Sequence, residues 1–414
     1  MQLDWKRIGM IALFILAILF FGFFLYYFFW SPIFGPITPT EVATTTTGTL
    51  PGATTGGVRA TTTGAGGLPL SGGSATTTIV AGTGITQPTA GVKQANVLVD
   101  APTLYSSMTN SGKIVYYNAS DSKFYGVDAS GNISALSSQQ FFNVSNAVFD
   151  HGGQKAVIQY PDGSNIMFDF STGKQTTLPS HWQDFGFSPT DQDITFKNLG
   201  LDPENRFLVT AKYDGTNVKI IEPIGENADL VKTNWSPNSQ VIATYNTGKD
   251  AGRSEIFFIG QNNENFKSLT VEGRDFRGLW SPDSARMLYS VYDASNNYAP
   301  QLWISDASGD SIGNNRQKIS LNTWADRCTF AGNSIAICSA PESLPYGAGL
   351  DQQVLTGISD RIWAINLQTG QTVQIPQSNN ISSIASVMFS ASSPNAIFLT
   401  GKNDNKIYKI DLTQ

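Results

Sequence analysis

The chain has 414 residues, with 26 Lys and Arg against 32 Asp and Glu, a formal net charge of −6, two His and two Cys. The acidic balance and the lack of a basic stripe argue against a nucleic-acid partner. Two histidines and two cysteines leave little material for a metal site or for catalysis that depends on an imidazole base.

The first predicted element is a membrane anchor. Ile8 to Trp30 is an uncharged run rich in Phe, Leu and Ile. At about 1.5 Å per helical residue it reaches roughly 35 Å, enough to span a bilayer. Lys6 and Arg7 precede it, and the next basic residue is Arg59. The positive-inside rule places the N-terminus in the cytoplasm and the rest outside. The run is long for a signal-peptide core, and Ser31-Pro32-Ile33-Phe34-Gly35-Pro36 offers no A-x-A-like cleavage site. Residues 1–30 are therefore expected to stay on the protein as a cytoplasmic tip and transmembrane helix.

Residues 31–92 form the second zone, rich in Thr, Gly, Ala and Pro, with threonine runs at 44–47, 61–63 and 76–78. So few large apolar groups cannot offset the entropy of ordering. The expectation is a flexible linker with an r.m.s. span of about 40–50 Å. Threonine-rich stretches can carry O-glycans, and a plain spacer is the simpler reading.

Residues 93–414 form the third zone. Four basic and two acidic groups precede Gln94, so residues 94–414 carry a net charge of −8. One phrase recurs here: Phe187-Ser188-Pro189-Thr190-Asp191, Trp235-Ser236-Pro237-Asn238-Ser239 and Trp280-Ser281-Pro282-Asp283-Ser284, each followed by a β-rich run. Proline presets φ for a turn, and Ser, Asp and Asn hydrogen bond locally, so each copy predicts a hairpin. Aromatics at Phe149, Phe187, Trp235, Trp280, Phe330 and Phe389 recur at spacings of 38, 48, 45, 50 and 59, with Met108 standing for a first copy. Such periods, with several short strands per unit, indicate propeller blades. The fold class is all-β, a seven-bladed propeller, with six blades as the alternative.

Within a unit four strands, A to D, are expected. In the fifth unit A ends at Leu279-Trp280, B is Met287 to Val291, C is Gln301 to Ile304 and D lies near Lys318 to Ser320. The last unit stops after its C strand, Lys406 to Leu412. The extended run Asn96 to Val99 is inferred to supply the missing D strand and close the ring. That arrangement brings the tether in at the face that holds the C–D turns.

Aromatic-Ser-Pro-Asp/Asn-Ser, a β run, then Gln301-Leu302-Trp303-Ile304-Ser305-Asp306 resembles the WD40-like repeat of TolB-type propellers. The resemblance covers roughly residues 100–414 and is clearest at 187, 235 and 280. It implies a cell-envelope protein outside the cytoplasmic membrane that binds other envelope or surface proteins. The chain lacks the Gly-His and Trp-Asp dipeptides of true WD40 repeats, and TolB-like proteins are usually released after signal cleavage.

No set of residues assembles a reaction. His151 and His181 both fall in expected turns, and no Gly-x-Ser-x-Gly elbow is present. The Ser-Pro-Asp-Ser turns differ from the Asp-box of propeller glycosidases. Asp128 to Asn132 and Asn403 to Asn405 are turn sequences before they are calcium ligands. No phosphate loop, metal ligand set or cofactor motif is present, and no cofactor is expected. The reading is a non-enzymatic interaction or scaffold module; the alternative is a carbohydrate-binding or glycan-processing propeller.

Two features point to specific residues. Cys328 and Cys338 flank the expected A–B turn of the sixth unit, which places them on adjacent strands and nearly opposite. Outside the membrane a disulfide between them would persist; two small buried residues or a redox pair are the alternatives. The long B–C connections, above all Ala340 to Asp360, carry an apolar set that includes Leu344 and Tyr346, and Tyr298 lies in the neighbouring unit's loop. Connecting loops on a rigid scaffold are where binding resides. Leu344, Tyr346 and Tyr298 are the expected contacts for a protein partner; the competing reading is that the loop caps its own blade.

Overall fold

The structure is a computed structural model that describes residues 93–377 and 381–412. The expected anchor at residues 8–30 and the linker lie outside the described residues. Among the described residues no helix is long and apolar enough to cross a membrane.

Among the described residues, twenty-eight strands form seven four-stranded antiparallel sheets, each ordered A-B-C-D in chain sequence except the last. The last sheet takes its outer strand from the start of the domain: Ala95–Val99 pairs with Ile407–Asp411, with Ala95 opposite Ile410 and Val97 opposite Tyr408. The inferred closure is therefore present, and the blade count is seven. Blade 1 begins at Thr103–Met108 and blade 7 at Ile384–Phe389.

The anchoring residues mark the ends of the A strands. Met108, Phe149, Phe187, Trp280, Phe330 and Phe389 each close one. In blade 4 the strand ends at Thr233, two residues before Trp235. The three phrases share one turn geometry. In each, the serine N–H donates across the hairpin to the carbonyl five residues on, and the fifth residue is left-handed: Asp191, Ser239 and Ser284 at φ 58°, 62° and 59°. The buried serine Oγ accepts the opposing N–H, as Ser281 does from Arg286 at 2.9 Å and Ser236 from Val241 at 2.9 Å. In blade 2 Asp150 takes the serine's place and accepts from Gln154 and Lys155.

The core lies between blades. Leu288, Leu302 and Ile304 of blade 5 pack on Ala336, Cys338 and Ile365 of blade 6, and Phe124 of blade 1 meets Phe149 and Phe170 of blade 2. Alternating strand residues face the two neighbours, so each sheet is buried on both sides and no blade is complete alone. Trp182 stacks on Phe196 at 3.8 Å between ring centroids.

The closing strand starts with Ala95 opposite Ile410, at the C–D end of blade 7's strand C. The Lys93 N–H donates to the Pro376 carbonyl, just past the D strand of blade 6. The chain thus meets the ring at the outer rim between blades 6 and 7.

Candidate functional site

Antiparallel strands put the A–B and C–D turns on one face and the B–C and D–A connections on the other. The first face is built from short turns stitched to one another. Asn110 N–H donates to the His151 carbonyl, His151 N–H and Nδ1 both lie within 2.9 Å of Asp191 Oδ1, and Asn238 N–H donates to Ser284 Oγ. His181 lies in a D–A connection, on the other face, so the two histidines are not brought together. Among the described residues no group of three His, Cys, Asp or Glu side chains could hold a metal ion.

The second face carries the long loops. That of blade 6, residues 342–359, is closed at its neck by Glu342 N–H donating to the Ser359 carbonyl at 2.8 Å. Asp351 caps a short helix, Gln352–Leu355. The loop leans on the B–C loop of blade 5: Gly347 N–H donates to the Asn297 carbonyl at 2.9 Å and Gly349 N–H to the Tyr298 carbonyl at 2.7 Å. Glycine is required at 349, where a Cβ would meet the Tyr298 oxygen at 2.5 Å and the Tyr292 ring at 2.7 Å. Tyr298 is left-handed at φ 55°, an uncommon state for a bulky residue, and its ring meets Tyr346 edge-on at 5.6 Å and Tyr292 at 6.3 Å.

The three expected contact residues divide. Tyr298 and Tyr346 are brought together, and Tyr346 is 71% exposed. Leu344 turns inward and packs with Ile358 on buried Trp324, Ala348 and Leu355. The loop therefore caps its own blade with one side and presents Tyr346, Leu350 and Val354 with the other. Val354 was not singled out from the sequence.

Beneath the loop lies a charged network at the start of the inner strands. Trp324 has the Arg327 guanidinium 4.9 Å and the Arg277 guanidinium 5.9 Å from its ring. Arg277 pairs with Asp275 and Asp326, each at 2.8 Å. Arg327 pairs with buried Asp360 at 3.0 Å, and the other Asp360 oxygen accepts the Ile384 N–H, tying blade 6 to blade 7. Burial pushes the Asp360 carboxyl up, against the pull of the Ile384 N–H and of Arg327. Asp275 sits at φ 54° on a bulge in strand A; Tyr105 and Asp184 hold the same place in blades 1 and 3. Two of these reach the next blade directly: Tyr105 O–H donates to the Ser145 carbonyl at 2.7 Å, and Asp184 accepts from Thr233 N–H at 3.2 Å. Such bulges re-aim a side chain.

Cys328 and Cys338 stand directly opposite in register, with Cα atoms 4.0 Å apart, and the structure joins their sulfurs.

A closed ring of seven four-stranded sheets, with stitched turns on one face and long loops on the other, defines a seven-bladed β-propeller. No family model matches the chain. Over 102 residues, a quarter of its length, it is 28% identical to the Tol-Pal system protein TolB of Anaeromyxobacter dehalogenans, and it spans only about a fifth (22%) of that relative. Among solved structures, tricorn protease superposes on 79% of the chain and 34% of its own, at 12% identity and a TM-score of 0.51. The propeller domain of Myceliophteria thermophila Cps50 superposes on 76% of the chain and 98% of its own, at 9% identity and a TM-score of 0.50. Those two show the fold alone. With the repeat phrase, the partial match makes the chain similar to TolB-type β-propellers.

Proposed function

We propose that this protein is a non-enzymatic interaction module of the cell envelope. Residues 8–30 hold it in the cytoplasmic membrane, with the N-terminus inside and the propeller outside. It captures a protein partner on the face of the B–C and D–A connections. The observation that carries this reading is the distribution of exposed apolar side chains. Phe142, Leu201, Leu230, Tyr346, Leu350 and Val354 all lie in connections on that face, whereas the opposite turns expose Val218 alone among the described residues. Exposed apolar groups clustered in one loop, as Tyr346, Leu350 and Val354 are, mark a contact surface. The likeness to TolB supports an envelope setting.

The test is cross-linking on intact cells followed by co-purification, comparing the native chain with a Tyr346→Ser, Leu350→Ser double variant. Both residues are exposed, so the fold is expected to survive and partner capture to fall. Undiminished capture by a folded variant contradicts the assignment.

A further inference from the structure

A small pocket of about 100 Å³ opens on the face of the B–C and D–A connections, where three segments meet. The end of the blade 6 loop contributes Thr356 and Gly357, the connection into blade 7 Ser382 and Ser383, and the B–C loop of blade 7 Lys402 and Asn403. The Lys402 N–H donates to the Ser383 carbonyl at 2.9 Å, which pins two of these segments together.

The lining is one-sided in charge. None of its residues is acidic, and the Lys402 side chain makes no hydrogen bond or ion pair among the described residues. The hydroxyls of Ser382 and Ser383 and the Asn403 amide likewise have no protein partner there. The carboxylate behind the pocket, Asp360, is already engaged: Arg327 lies 3.0 Å from one oxygen and the Ile384 N–H donates to the other at 2.8 Å. Burial pushes that carboxyl up, and Lys402 is close enough to pull the other way beside the Ile384 N–H and Arg327, so two cations face one anion. Asp351 and Asp404, on the same two loops, accept from Gln353 and from Lys406 and Tyr408. The pocket therefore carries an uncompensated positive charge in a domain that is acidic overall.

These groups select an anion. The ammonium offers a charge-assisted hydrogen bond, and the serine hydroxyls and the amide can serve the remaining lone pairs. The volume, about that of three waters, admits a carboxylate with a methylene and is too small for a sugar ring. A single ammonium without a free guanidinium fork beside it matches one negative charge better than the two of a phosphate. The pocket adjoins the apolar patch, since exposed Val354 immediately precedes Leu355 in its wall. A second copy of the chain would bring its own excess of negative charge against this face. We propose, on the reading of this face as a protein-docking surface, that the pocket receives the carboxylate of an aspartate or glutamate on the partner protein. The partner then brings an acidic side chain next to apolar ones.

The test is carbodiimide coupling on intact cells that carry the full chain, followed by mass spectrometry of the linked peptides. The reagent condenses an amine with a carboxylate only where the two already touch. A photo-crosslinking residue at 350, in separate cells, reports the partner independently. The expected product is an amide between Lys402 and an Asp or Glu of the protein that position 350 captures. Lys402→Arg should abolish the amide and keep capture at 350, because the charge remains and the reactive amine does not. Lys402→Gln should lower capture about threefold or more. Three results overturn the proposal and leave the docking face in place: capture at 350 with Lys402 uncoupled, an amide from Lys402 to Asp360 or to a second copy of the chain, or full capture by folded Lys402→Gln. An amide from Lys402 to the carboxyl of phosphatidylserine also overturns it and gives the pocket to a lipid headgroup. An amide to a protein that position 350 does not capture keeps the pocket and removes the apolar patch from the interface. No adduct at either position overturns both.

Discussion

Val97 lies directly opposite Tyr408, so the strand that opens the domain is the outer strand of the blade that ends it. Ala95 and Val99 on that strand are buried, and Asp100 pairs with Lys406 at 2.7 Å. Deleting residues 94–100 should therefore cost about 3 kcal/mol or more, from lost apolar burial and an exposed sheet edge. Chemical denaturation of the shortened domain checks this; an unchanged midpoint would show that the ring closes without the strand.

Leu344 and Tyr346 are two residues apart and should behave differently. Leu344→Ser removes an apolar group from the Trp324, Ala348 and Leu355 cluster and should cost about 1 kcal/mol or more. Tyr346→Ser, at an exposed position, should leave stability within about 0.5 kcal/mol. Equal losses in denaturant titrations would show that Tyr346 belongs to the cap.

The cysteine pair gives a third expectation. A bridge between strands ten residues apart in sequence should contribute about 2–3 kcal/mol by restricting the unfolded chain. Mass spectrometry of the protein purified without reductant should find one disulfide and no free thiol. Two free thiols would leave the alternative of a small buried pair.

The repeated turn predicts a pH effect at one residue. Burial pushes the Asp283 carboxyl up, but the Ser281 hydroxyl and Ala285 N–H donate to it and Arg286 is near, so its value ends below the ordinary 3.8. A carboxyl lowered on folding adds stability above its unfolded value and loses it as pH falls through its folded value. Asp283→Asn should keep the turn, as Asn238 does in blade 4, and should lose less stability than the native chain on acidification below about pH 4. Parallel acid slopes for the two proteins would contradict this.

The residues that made the fold readable are those with a fixed local consequence. Proline at 189, 237 and 282 and the serine before it specify one hairpin wherever they occur, so blades 3, 4 and 5 could be placed with their strands. Blade 2 was fainter because Asp150 does the work of that serine with a different residue. The bulges at Tyr105, Asp184 and Asp275 carry no comparable mark. None is glycine, and the left-handed state there is imposed by the packing around the inner strands. The site was half legible for a related reason. Apolar residues in a loop look alike in sequence whether they protrude, as Tyr346 does, or fold inward, as Leu344 does; only the position of Trp324 decides between them.

A partner docked on the face of the B–C and D–A connections lies within reach of positions 346 and 350 and away from the C–D turns. Photo-crosslinking residues placed singly at 346 and 350, and on the opposite face at Thr172 and Thr369, would test it in intact cells. One discrete protein adduct shared by positions 346 and 350 is expected, and none from Thr172 or Thr369, both exposed in C–D turns. An adduct formed from the C–D turns and absent from 346 and 350 would contradict it.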